Sequence, residues 1–282
     1  MPSSAVGALA PGRGKPGKEM RGEERKGFRL VGHCDFGGHN TGDVMQVLNK
    51  GHFLLCGHSG TVSGAGTSVI DISDPRKLRV VHQIPAPKNT HTNKVQVVGD
   101  ILIVNNEQFG GRGPKFEPFK AGIDVYDISH LPELRHLAFF HTGGRGVHRM
   151  WYGDYPYAFI TAGDDEYHDQ FLKIIDLSNP ARPREAGRWA LPGMKKGEKQ
   201  DWVQVEQFGF KKRADGRYDL PGDLPHGAAK RVALHEAVGK GNRAYCAWWD
   251  CGFIILDISD VSKPKLVSHT QWPPTESAQT HT

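Results

Sequence analysis

Short apolar runs broken by Gly, Pro, Asn and Asp set the rhythm of this chain. Segments such as KVQVV at 94–98, ILIVNN at 101–106 and YAFITAG at 157–163 are rich in β-branched and aromatic residues and bounded by turn formers, the pattern of strands. The 282 residues include 35 Gly and 18 Pro, well above ordinary usage, so turns are frequent and regular elements short. That excludes a helical bundle or coiled coil. No run reaches the ~18 apolar residues of a membrane helix, so no membrane association is expected.

The pattern also repeats. GTSVIDISDPRKLRVV from Gly66, GIDVYDISHLPELRHLAF from Gly122, FLKIIDLSNPARPREAGRW from Phe171 and GFIILDISDVSKPKLVSH from Gly252 share one order. Each is an apolar strand, then Asp-Ile/Leu-Ser, a turn near a Pro, and a second strand. The motif aspartates are Asp71, Asp127, Asp176 and Asp257. Asp and Ser side chains bond nearby backbone amides, and Pro cannot continue a ladder, so the motif closes a tight connection between antiparallel strands without any functional role. Two more strand candidates precede each motif. Four short strands per unit, at a period somewhat above the ~40–45 residues of a propeller blade, predict an all-β fold, a β-propeller of four-stranded antiparallel blades.

VIDISDP, VYDISHLP, IIDLSNP and ILDISD, each preceded by a Gly turn and an apolar strand, resemble the LVIVD repeat of bacterial β-propeller proteins. The resemblance spans about residues 28–282 and implies a propeller but no single chemistry. Blades are expected at about 39–86, 90–141, 147–191 and 233–271, with insertions at 106–121 and 192–229. The second insertion carries a hairpin signal, WVQVEQFGF and RYDL around Ala214-Asp215-Gly216. FRLVGHCDFGG, at 28–38, reads as a lone outer strand (28–37), and QTHT at 279–282 matches NTHT at 89–92 as the start of a further blade. The sequence is thus expected to be part of a longer propeller with open edges that favour self-association. An intact four-bladed ring is the alternative.

Charge changes this picture little. The formal net charge is +5, but residues 1–27 hold six basic and three acidic residues in a Gly- and Pro-rich tail expected to be disordered, leaving the remainder nearly neutral. Nucleic acid is therefore not an expected partner. The tail lacks the apolar core of a secretory signal, so a cytoplasmic location with reduced thiols is expected. Cys34, Cys56, Cys246 and Cys251 have no zinc-type spacing and read as small buried residues, with Cys56 near His58 a possible soft ligand.

Histidine, 15 in all, is the unusual component. His91, His148 and His235 fall at or just before the starts of first strands, His281 occupies the same phase, and His39 precedes blade one, displaced by about two residues. In a propeller first strands line the central channel, so this phasing predicts a ring of imidazoles at one channel mouth. Neutral imidazole is the commonest metal ligand, and a divalent transition metal (Fe, Mn, Cu or Zn) is the expected cofactor. Repeated positions also inherit repeated residues, so a structural role for these histidines stays open.

The ends of second strands face the same mouth. They offer Glu107 and Glu166 as candidate acid/base residues, with both insertions placed to cover the site. The same strand ends also read as solvated turn acids. Trp151, Tyr152, Trp248 and Trp249 read either as substrate-stacking or as packing residues. GDDEYHD lacks calcium-loop spacing, GGRGPK is not a P-loop, and Ser59 beside His58 is no triad. The expected function is a metal-dependent enzyme acting on a small molecule, oxidation favoured over hydrolysis. The alternative is a non-enzymatic scaffold that binds a protein or small ligand through its blade loops.

Overall fold

The computed structural model describes residues 27–36, 43–60, 64–108, 118–154, 156–198, 211–212, 217–219, 230–271 and 280–281. The basic tail, His39 and most of both insertions lie outside the described residues.

Each motif segment is the third strand of an antiparallel meander. Blade one is β1 (Val44–Lys50), β2 (Phe53–His58), β3 (Ala65–Asp71) and β4 (Arg79–Pro85). In blade two the inner strand is split into β5 (Thr90–His91) and β6 (Val95–Val98), both pairing with β7 (Ile101–Gln108), followed by β8 (Gly122–Asp127) and β9 (Arg135–His141). Blade three is β10 (Val147–Asp154), β11 (Tyr157–Ala162), β12 (Phe171–Asp176) and β13 (Arg184–Trp189). Short β14 (Lys211–Lys212), β15 (Arg217–Asp219) and β16 (Lys230–Arg231) make a small separate sheet around the expected hairpin turn. Residues 202–210, read as the hairpin's first strand, lie outside the described residues. Blade four is β17 (Glu236–Lys240), β18 (Arg243–Trp248), β19 (Gly252–Asp257) and β20 (Lys265–Thr270).

Apolar content follows position in the blade. Third strands are buried almost throughout in blades one to three, being covered on both faces, whereas β1 alternates between half-buried and exposed. Three apolar clusters fill the spaces between consecutive blades. Leu55, Val69, Val95 and Tyr126 join blades one and two; Ile103, Ile123, Met150 and Ile160 join two and three; Phe159, Ile174, Trp248 and Ile254 join three and four. The inner strands β6, β10 and β17 lie side by side. The outer faces of the first and fourth blades leave Met45, Val47, Tyr245, Leu266 and Val267 exposed.

The motif aspartates do the same work in every blade. One oxygen accepts the backbone N–H of the Ser two residues on, Ser73, Ser129, Ser178 or Ser259, at 2.8–2.9 Å. The other oxygen meets Arg79, Arg135, Arg184 or Arg243. The following residue donates its N–H back to the turn before the second strand, as Ile72 does to His52, Ile128 to Asp100, Leu177 to Pro156 and Ile258 to Asn242.

These hydrogen bonds hold the Asp71 carboxyl at about 2, the Ser73 amide contributing most, and lower Asp127, Asp176 and Asp257 as well. A carboxyl lowered in the folded state stabilises above its unfolded value near 3.8, and that contribution is lost as the pH falls toward about 2. Thermal unfolding followed by circular dichroism is expected to show melting temperatures that decline together over this window. Asp176→Ala is expected to cost about 1–2 kcal/mol and to flatten the decline.

Phe28–Phe36, expected as a lone outer strand, runs as irregular chain with no ladder partner among the described residues. It nevertheless packs as an outer strand packs. A Cβ on Gly32 would fall 2.0 Å from the carbonyl oxygen of Pro75, four residues after Asp71, and one on Gly187 of β13 would fall 1.9 Å from that of Val261, four residues after Asp257. Both glycines are needed for the same close approach to the motif loop of the next blade.

Candidate functional site

Glu107 organises the channel mouth. It is 6% exposed near the end of β7 and faces His91 of β5 across the ladder. Its Oε2 lies 2.9 Å from His148 Nδ1, and its Oε1 accepts Gln170 Nε2 at 3.2 Å, with the Arg145 guanidinium 3.7 Å away. Burial opposes the charge on this carboxyl. His148 above all, then Arg145 and His91, outweigh it and hold the group at about 2, so Glu107 is a fixed carboxylate at neutral pH. Burial conversely favours the neutral form of His91.

Backbone geometry delivers His148 to this partner. The β10–β11 register shifts between Val147 and Arg149, which makes His148 the extra residue of a bulge, and bulges re-aim side chains. Two residues earlier Gly146 has φ +85°, and a Cβ there would meet the Asn106 carbonyl oxygen at 2.2 Å. Only glycine lets β10 begin this close to β7. Asn105 stitches the same junction, its Nδ2 donating to the Val147 carbonyl and its Oδ1 accepting the Lys94 N–H.

The imidazoles continue from there. His148 meets His235 edge to face at 5.3 Å between centroids, His235 lies 3.7 Å from His281, and Trp249 packs on both at 4.9 and 5.4 Å. His235 is fully buried, its N–H bonded to the Ala247 carbonyl and its own carbonyl accepting Thr161 Oγ1. His281 is placed by the Thr280 N–H, which donates to the Trp249 carbonyl.

The structure therefore brings together His148, His235 and His281, with His91 beside their carboxylate. His39 lies outside the described residues. Among the described residues, no three His, Cys, Asp or Glu side chains converge as metal ligands in this arrangement.

Glu166 does not join the cluster. By register the third-blade equivalent of Glu107 is Gly163, since Ile101 and Tyr157 open the paired second strands, and Glu166 lies three residues farther along an open loop. There it is exposed and paired with Lys195 at 3.4 Å. Arg145 and Gln170, which flank Glu107, are residues that sequence reasoning missed.

His58 is also apart, buried with its Nε2 on Ser68 Oγ at 2.8 Å rather than engaging Ser59 as a dyad. Cys56 and Cys246 are buried free thiols, and burial pushes Cys56 up to about 12. Trp248 fills the core between blades three and four. No helix among the described residues is long and apolar enough to cross a membrane.

Four antiparallel meanders with adjacent inner strands and apolar cores between consecutive sheets are blades of a β-propeller. The sequence model of the LVIVD repeat matches residues 152–190 and 226–271, so the chain carries LVIVD repeats there. Those segments lie in blades three and four, and blades one and two show the same Asp–Ser–Arg geometry.

Among solved structures, a Lactobacillus plantarum protein is similar with a TM-score of 0.48 and 11% identity, over 78% of this chain and 54% of its own. The computationally designed Ika8 protein gives 0.40 and 11%, over 83% and 63%. The β-propeller domain of Cps50 (Swd1) from Myceliophteria thermophila gives 0.30 and 12%, over 81% and 75%. The chain thus spans about half the length of the first and under two thirds of the second. No curated protein matches it.

Proposed function

We propose that the channel mouth binds a divalent transition-metal ion through His148, His235 and His281, with His91 at its edge and Glu107 as the carboxylate that orients His148. The observation that carries this reading is the 2.9 Å contact between His148 Nδ1 and Glu107 Oε2. A carboxylate on Nδ1 fixes the tautomer and leaves Nε2, across the ring, as a basic donor atom, the arrangement in which protein imidazoles hold metals. Glu107 is in turn held by Gln170 and Arg145, so it positions rather than shuttles protons. Binding requires the His281 ring to turn off His235 and Trp249, on which it packs. The chemistry expected of such a centre is oxidation of a small organic substrate when the ion is iron, manganese or copper, and hydrolysis through bound water when it is zinc.

The stack of His235, His281 and Trp249 favours a second reading, in which these rings form an aromatic plug in a non-enzymatic scaffold. Calorimetric titration of the chelator-treated chain with zinc separates the two. The metal reading expects saturable binding in the parent chain and its loss in His148→Ala at unchanged circular dichroism. The plug reading expects no saturable binding in either.

A further inference from the structure

The inner strands carry a second layer, one register step from the histidines. Gln46, Arg149 and Glu236 pair with Gly57, Thr161 and Ala247, each the fifth residue of its second strand. Lys94 occupies the same place in blade two through its backbone bond from Asn105, the fifth residue of β7. The layer therefore runs Gln46, Lys94, Arg149, Glu236 across adjacent inner strands.

Its two cations are unusual. Lys94 is 5% exposed, yet among the described residues its ammonium makes no hydrogen bond and no ion pair. Arg149, a half-buried residue, makes none either among the described residues, and its Nε is buried without a partner. Buried lysines and arginines are ordinarily paired, because removing a charge from water without compensation is expensive. Here the two sit on adjacent strands and repel each other, with Glu107 and Glu236 acting on Lys94 only at longer range. The Gln46 side chain is committed elsewhere, its Oε1 accepting the Val95 N–H.

We propose that Lys94 and Arg149 form an oxyanion site in the channel, which takes the carboxylate or phosphate group of a small acidic ligand. The guanidinium offers a planar fork and the ammonium a point charge, a combination suited to one anionic group gripped from two blades. Glu236, next in the layer, repels a second negative group and favours a hydroxyl or amine on that side of the ligand. Because Arg149 directly follows His148, an acid held here presents its remainder to the histidine cluster. The site needs no metal ion, so it stands or falls separately from the centre proposed above.

The test is calorimetric titration of the full chain, chelator-treated and in low-chloride buffer, with inorganic phosphate and separately with acetate. Saturable binding of either is expected, and the preferred probe distinguishes the phosphate from the carboxylate class. Lys94→Met and Arg149→Gln should each weaken binding by at least about tenfold. Should Lys94→Met fail to fold, Arg149→Gln reads the same contact from the third blade. Absence of saturable binding to the parent chain overturns the proposal, as does affinity unchanged in Arg149→Gln. Binding seen only after a transition metal is added would place the anion on the metal and also overturn it. Anion binding without metal uptake supports it while removing the metal reading.

Discussion

Trp248→Ala is expected to lower the free energy of unfolding by about 3–5 kcal/mol, read by urea denaturation. The indole is fully buried at the end of β18, between blades three and four, and meets Trp189 edge to face at 5.6 Å. Truncation opens a cavity lined by residues of both sheets, including Phe171, Ile174 and Ile254, which cannot collapse without separating the blades. Its Nε1 is buried with no hydrogen-bond partner among the described residues, so the stabilisation is packing alone. Trp248→Phe, which keeps a ring and removes that donor, is accordingly expected to cost less than half as much. An equal cost for the two substitutions would show that the indole N–H, rather than its volume, matters.

Glu107→Ala is expected to cost about 3 kcal/mol in stability and to weaken metal binding by about 10–100-fold. Removing this carboxylate breaks the hydrogen bond from Gln170, takes the 3.7 Å carboxylate partner from the Arg145 guanidinium, and frees His148 to rotate. Glu107→Gln preserves the shape and one acceptor, so it should recover part of the stability while still weakening the metal, because an amide cannot raise the basicity of His148 as a carboxylate does. Denaturation and zinc calorimetry on the same samples separate the two effects. The pH dependence has a definite sign. With its carboxyl at about 2 when folded and near 4.5 when unfolded, Glu107 stabilises fully above pH 4.5 and loses that contribution as the pH falls toward 2.

Much of the fold was legible because its determinants are local. The Asp-Ile/Leu-Ser motif bonds two residues on in every blade and eight residues on in blades one to three, so most of its chemistry could be read from the aligned segments; only in blade four does the arginine, Arg243, come from the preceding strand. The histidine phasing was legible for a related reason. A repeat maps a position in the period onto one level of the propeller, and His148, His235 and His281 do meet.

What sequence could not supply was register. Glu107 and Glu166, both read as ends of second strands, differ by three residues in register, because the loop after Ala162 begins earlier than its charge pattern suggests. The bulge at His148 depends on ladder pairing that no local pattern announces. The layer of Gln46, Lys94, Arg149 and Glu236 was invisible because each blade puts a different residue type there, leaving no repetition to detect. Phe28–Phe36 looked like a strand by composition, yet it packs against blade one without a ladder among the described residues.

The measurement that bears most directly on this account is the metal content of the purified chain after exposure to iron, manganese, copper and zinc and removal of free ions by gel filtration. About one tightly held ion per chain is expected. Only trace metal under all four conditions, with the protein folded, would contradict it.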